Sequence, residues 1–206
     1  MKNTRQPERG LWAWGLVRFC VAASLLLFGA LYYFSGLNEE GTRQVIRWSA
    51  RISAVLFSMA FAASAFQRLF KNVFSFWWLM NRKYLGVSFA IVHLLHLCFL
   101  LLLQQYFHPV FNLAKTSSLV GGGLAYLFIV LMLLTSFSVF AKYISRQSWK
   151  ILHTAGGYWI WFIFMKSYWK RAATESEYIP LAVLLAAVLA LRLLALKPNR
   201  VLKRAL

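Results

Sequence analysis

Six blocks of apolar residues, each about 20 long and each closed by charged or turn-forming residues, constrain this chain more than any motif in it. They run roughly Leu11–Phe34, Val45–Phe66, Tyr84–Phe107, Leu119–Phe140, Trp149–Trp169 and Tyr178–Leu196. Each is long enough to cross hydrocarbon as a helix. With 61% hydrophobic residues in a 206-residue chain, a soluble domain could not cover its own apolar surface. The blocks predict an all-α membrane bundle of about six transmembrane helices, a single transmembrane domain over residues 1–206.

The 23 Lys and Arg residues oppose only 5 acidic ones, a formal net charge of +18. In a soluble protein that balance would raise nucleic acid as a partner. Here the bases cluster at the ends of apolar blocks, so they read as topology signals and contacts to anionic lipid, with no nucleic-acid role. One set of connections holds Lys2, Arg5, Arg9, Arg68, Lys71, Arg82, Lys83, Lys142, Arg146, Lys150, Lys197, Arg200, Lys203 and Arg204. The other set holds fewer bases, diluted by Glu39, Glu40, Glu175 and Glu177. The richer side is expected to be cytoplasmic, with both termini on it, in a bacterial inner membrane. The first block is interrupted by Arg18 and lacks a small-residue cleavage site, so it reads as a retained span.

Between the blocks, Gln67–Asn81 reads as a cytoplasmic connection whose rings lie at headgroup level. Residues 112–118 read as an outside loop, with Pro109 helping to end span three. Gly86 and the Gly121–Gly123 triplet read as points of close helix packing. Cys20 and Cys98 read as small buried residues.

Chemistry is concentrated in the histidines. His93, His96 and His153 lie within or beside apolar blocks, where polar residues tend to face the bundle interior. His93 and His96 share a helix face. Zinc would lack its remaining ligands there, because no Cys, Asp or Glu stands at ligand spacing. A proton relay would lack acids in spans three to five. Imidazole in an apolar bundle without acids suits haem b, a flat apolar body whose iron takes axial histidine. The plain alternative is histidine hydrogen-bonded to a neighbouring helix.

Three segments carry a resemblance. Arg82-Lys83-x-Leu85-Gly86 is followed by His96 ten residues after the glycine. Trp149-Lys150-Ile151-Leu152-His153 opens span five, and Trp48-Ser49-Ala50-Arg51 lies in span two. Together, over about residues 45–170, the set resembles the ferric-reductase-like transmembrane domain family. The nearest likeness is to the haem-binding membrane subunit of the bacterial periplasmic methionine sulfoxide reductase system. The resemblance implies a membrane cytochrome b with one or two haem b groups and axial ligands at His96 and His153. It implies a redox partner protein, a flavin reductase inside or a quinol as donor, and an acceptor outside. His93 has no counterpart in the family. Where the family places a further histidine, thirteen residues after the first in span five, this chain has Lys166.

Depth separates the two ligand candidates. His96 follows Lys83 by about 20 Å of helix rise, and His153 follows Lys150 by about 5 Å. Spans three and five run the same way, so these two are poor axial partners for one iron. Lys166 is the residue level with His96. Three arrangements follow: an outer haem on His96 with Lys166, water or nothing opposite; an inner haem on His153; or a chain that has lost haem. Lys166 is also placed to snorkel toward headgroups. Arg51 is the first choice among cations to pair with haem propionates, while Arg18 and Arg192 read as snorkelling.

Two functions are expected to compete. One is a haem b electron-transfer subunit, not an enzyme alone, since the chain has no Gly-x-Gly-x-x-Gly segment and no flavin domain. The other keeps the fold as a non-redox assembly or transport protein. A gap of haem width between spans three and five favours the first.

Overall fold

The computed structural model describes residues 13–108 and 116–196, leaving aside the side chains of residues 116–119. Within these residues the chain is helical and contains no strand. Six long helices occur: α1 (Trp14–Ser35), α2 (Glu39–Phe70), α3 (Val73–Phe107), α4 (Thr116–Leu134), α6 (Arg146–Ala172) and α7 (Ile179–Leu196). A single turn, α5 (Ser138–Ala141), follows α4, and a 3-10 turn at Ser176–Tyr178 leads into α7. Four helices are long and apolar enough to cross a membrane: α1, α2, α3 and α7 with its leading turn. The described apolar stretch of α4 is shorter, Val120–Leu134. The 27-residue α6 is long enough, but its Trp, Tyr, His and Lys content lowers its hydropathy.

Local chemistry sets the helix ends. Asn38 caps α2 by accepting from the Gly41 amide at 2.9 Å, with Glu39 and Glu40 in the first turn where the helix dipole favours negative charge. Asn72 and Ser75 form a reciprocal capping box at the start of α3. Ser145 caps α6 through the Ser148 amide at 3.0 Å. These caps correct one expectation. The aromatic segment Gln67–Asn81 is not an extended connection, because only Lys71 and Asn72 lie between α2 and α3. Lys71 takes the left-handed conformation that reverses the chain (φ 33°). Phe74, Phe76 and Trp77 are therefore helical residues of α3.

The other end of the apolar pattern needs a second correction. Thr116–Ser118 opens α4 and is not a loop, while residues 109–115, with Pro109 and Lys115, lie outside the described residues. The fourth block ends at Leu134, not Phe140. There Thr135 and Ser136 turn their hydroxyls back on the Leu131 and Met132 carbonyls, both at 2.7 Å, and the backbone tightens to three-residue turns.

Packing centres on α2, which lies against α1, α3 and α7; α4 lies against α3 and α6, and α6 against α7. The core is assembled from Val45, Leu85, Ile129, Ile160 and Leu185, all nearly inaccessible. Indole N–H groups add cross-helix bonds to backbone carbonyls: Trp78 to Met59 (2.9 Å), Trp161 to Leu185 (2.9 Å) and Trp159 to Gly121 (3.2 Å). Outside this core the bundle exposes large apolar side chains on every long helix, including Leu26, Leu69, Leu101, Phe162 and Val183, a surface suited to lipid. Cys98 belongs to that surface and not to the core, since the inward face of α3 is taken by Leu85, Phe89 and Val92.

Candidate functional site

α3 and α6 are not among the helix pairs whose backbones approach closely. Side chains fill the upper part of the space between them: Phe164 meets Phe89 at 6.1 Å and His93 at 5.3 Å between ring centroids. Below that layer lies a cavity of about 520 Å³. Its apolar wall is Phe57, Phe61, Phe89, Ile129 and Ile160. Its polar end carries Arg82, Lys83, Thr135 and His153. Gly86 leaves it open on the α3 side, since a Cβ there would meet nothing within 4 Å. Gly86 therefore widens the bundle at this point, where the sequence had pointed to close packing. Gly156 does the reverse. A Cβ there would lie 2.7 Å from Met132 Sδ and 3.0 Å from Phe128, so this glycine holds α6 tight against α4 beside the cavity.

His153 stands at the cavity edge in a fixed pose. Its ring stacks on Trp149 at 4.0 Å, one turn earlier in α6. Its Nε2 is 3.1 Å from Thr135 Oγ1. The Thr135 hydroxyl gives its proton to the Leu131 carbonyl at 2.7 Å, so at His153 the imidazole N–H is the donor. Trp149 Nε1 donates to the Thr135 carbonyl at 3.0 Å. The break in α4 thus receives both polar groups from the first turns of α6. Nδ1 is then the basic nitrogen of His153, and ligation through Nε2 requires the Thr135 bond to open.

His96 sits elsewhere. Its Nδ1 is 3.1 Å from the Ile46 carbonyl and 2.9 Å from Ser49 Oγ, near the start of α2. A carbonyl can only accept, so Nδ1 carries the proton and Nε2 is the basic nitrogen. An Nδ1–H bonded to a backbone carbonyl is the outer support that metal-ligating histidines use. Yet the ring is stacked against His93 at 5.1 Å, and His93 in turn against Tyr126 at 5.1 Å and Phe89 at 5.5 Å. His93 Nδ1 is shielded and has no hydrogen-bond partner among the described residues.

His96 and His153 are not brought together. Gly86, level with the cavity, precedes His96 on α3 by ten residues, about 15 Å of rise. Lys166 does not face His96 either. It is exposed, and it lies about 200° around α6 from Phe164, the residue that meets His93. Arg51 is engaged at the far end of the bundle. It pairs with Glu177 at 2.9 Å and lies over the rings of Trp48 and Tyr178. Among the described residues no three His, Cys, Asp or Glu side chains converge on a metal-ion site.

Two residues of the site were legible only as something else. Arg82 reads from sequence as a charge at the membrane edge, but it lines the cavity and donates to Ser64 Oγ at 3.0 Å. Arg192 reads as a snorkelling cation. Instead it donates to the Phe61 carbonyl at 2.7 Å and lies 4.0 Å over the Phe61 ring. The signal was there: an arginine inside an apolar helix is costly enough to mark an interior role. No family profile matches the chain, and no curated protein matches it significantly.

Proposed function

We propose that this chain is an integral membrane electron-transfer protein whose cavity between α3 and α6 would hold haem b through His153. It has six spans with both termini cytoplasmic in a bacterial inner membrane. It passes electrons from a cytoplasmic flavin reductase or a quinol toward an extracytoplasmic acceptor. It is the membrane subunit of an oxidoreductase system and is not a complete enzyme by itself.

The cavity carries this reading. Its 520 Å³ falls within the roughly 300–1,000 Å³ of pockets that enclose whole ligands. A porphyrin needs flat apolar walls, and Phe57, Phe61, Phe89 and Ile160 supply them. It needs cations for its carboxylates, and Arg82 and Lys83 stand at the polar end. It needs an imidazole at the wall, which is His153. When bound, haem b supplies a one-electron iron couple. The rings excluding water and lipid around it, and the His153 imidazole at its wall, are what this chain contributes. An outer haem on His96 has weaker support, because Lys166 turns away and His93 stacks on the His96 ring.

The test is a reduced-minus-oxidised spectrum of the full chain purified from haem-replete cells. Bands of b type are expected, with a haem-to-protein ratio near one. His153→Ala and Gly86→Leu, whose Cβ enters open space on the α3 side of the cavity, are expected to lose them. His96→Ala is expected to keep them. A colourless wild-type protein sinks the reading. The second reading, a non-redox assembly or transport protein, draws on one observation: His96 and His153 already have hydrogen-bond partners within the fold.

A further inference from the structure

Arg82 and Arg192 approach α2 within one turn of each other. Arg82 bonds Ser64 and Arg192 bonds the Phe61 carbonyl, three residues earlier on the same face. Among the described residues every partner of the two guanidinium groups is neutral: a serine hydroxyl, a carbonyl, the Tyr158 hydroxyl at 3.4 Å and the rings of Phe61 and Tyr158. Lys83 adds a third cation at the cavity, its Nζ over the rings of Tyr84 and Phe137. The chain contains no aspartate, and the described glutamates, Glu39, Glu40, Glu175 and Glu177, all lie at the opposite helix ends. Two cations at the end of an apolar cavity and a third against its Phe61 wall, with no described carboxylate there, leave positive charge uncompensated in a medium where that is expensive.

We propose that this end of the cavity is a carboxylate site. Arg82 and Lys83 bind the acidic edge of an amphipathic anion, and Arg192 is a positioning residue that fixes the Phe61 wall and adds positive potential behind it. The apolar body then points toward Phe89 and Ile160, and the acidic edge toward the α2–α3 turn. The inference rests on the haem reading for the identity of the occupant, since the acidic edge is then the two propionates. It assigns them to Arg82 and Lys83, because Arg51 is held by Glu177 at the other end of the bundle.

The experiment titrates the full chain, purified from haem-limited cells, with haemin and with haemin dimethyl ester, whose carboxylates are blocked. Wild type is expected to prefer haemin by about tenfold or more, the worth of one or two charge-assisted hydrogen bonds. The double variant Arg82→Gln/Lys83→Gln should lose that preference, and Arg82→Lys should keep part of it. Arg192→Met should lower the midpoint potential of bound haem, because it removes positive charge that favours the reduced iron. Equal binding of both porphyrins by wild type, or a preference that survives the double variant, overturns the assignment. If neither porphyrin binds, the haem reading has failed. The carboxylate site is then judged with doxyl-stearic acid against its methyl ester, by electron spin resonance. Preference for the acid that depends on Arg82 and Lys83 upholds it, and no preference overturns it.

Discussion

His153 of α6 donates its Nε2–H to Thr135 Oγ1 across 3.1 Å, at the residue where α4 stops being helical. The break and the bond belong together. Thr135 can accept from α6 because its own proton is turned back onto Leu131, which also ends the regular ladder. In the proposed site this bond competes with ligation through Nε2. Thr135→Val removes the competitor, so the variant is expected to hold haem more tightly than wild type. The haem-free protein should be less stable by about 0.5–1 kcal/mol, the usual value of one hydrogen bond between membrane helices. Haem titration and thermal unfolding in detergent measure the two effects. Loss of haem in Thr135→Val, to the extent seen in His153→Ala, would mean that ligation uses Nδ1 and that Thr135 supports it.

His96 is expected to matter for the fold more than for the chromophore. Its N–H ties α3 to the Ile46 carbonyl of α2, and its ring covers His93. His96→Ala removes the bond and leaves a void beside the His93 ring. A loss of about 2 kcal/mol is expected from the cavity and the broken bond together. The b-type spectrum should persist. A spectrum abolished by His96→Ala in protein that still unfolds cooperatively would move the haem to the outer half.

How far the sequence reached can be judged residue by residue. The helices were legible because hydrocarbon imposes one length and one period on every span. The separation of His96 from His153 was legible because helix rise is constant. Rotation was not: Lys166 and His96 are level, but only packing decides that Phe164 faces inward and Lys166 outward. The α4 break was hidden for a similar reason, since Thr-Ser-Phe reads as helix unless the hydroxyl partners are known. Arg192 was misread because snorkelling and interior bonding call for the same residue. They differ only in whether a carbonyl such as that of Phe61 is within reach.

The two glycines beside the cavity should respond in opposite ways. Gly156→Leu places carbon inside the contact distance of Met132 and Phe128. Overpacking of this kind costs about 1–3 kcal/mol and should separate α6 from α4. Gly86→Leu meets open space. It should raise helix stability by about 0.5–1 kcal/mol, since glycine is a poor helix former, while blocking the cavity. Thermal unfolding of the two haem-free variants distinguishes them; equal destabilisation would show that the cavity is closed in solution.

At the far end of the bundle, the Arg51–Glu177 pair is expected to contribute little through charge alone. Glu177 is 56% exposed, so solvent screens it. Glu177→Gln should lower stability by under about 1 kcal/mol, and less still at high salt. Arg51→Met should cost more, because it also removes the cation from the faces of Trp48 and Tyr178. Salt-dependent melting of the two variants measures the difference. Equal losses would assign the whole effect to the ion pair.

The position of Lys142 decides between six spans and four. If α4 and α6 cross the membrane, Lys142 lies on the same side as Lys71. If only α1, α2, α3 and α7 cross, α3 delivers the chain to the outside and everything up to α7 stays there, Lys142 included. Four spans and six both return the chain to the side from which α1 starts, so terminal reporters cannot separate the two. The packing favours six. Thr135 at the end of α4 and His153 near the start of α6 line the same cavity as Arg82 in the third turn of α3. At the other end of α6, Tyr168 packs on Tyr178 beside Arg51. α6 therefore reaches from the cavity to the Arg51 end of the bundle despite its polar content. In a Cys20→Ala/Cys98→Ala background, Lys71→Cys and Lys142→Cys should both resist a membrane-impermeant maleimide added to intact cells with the outer membrane permeabilised. Ser176→Cys should react. Labelling of Lys142→Cys with Lys71→Cys protected would establish four spans and place the His153 cavity outside the bilayer.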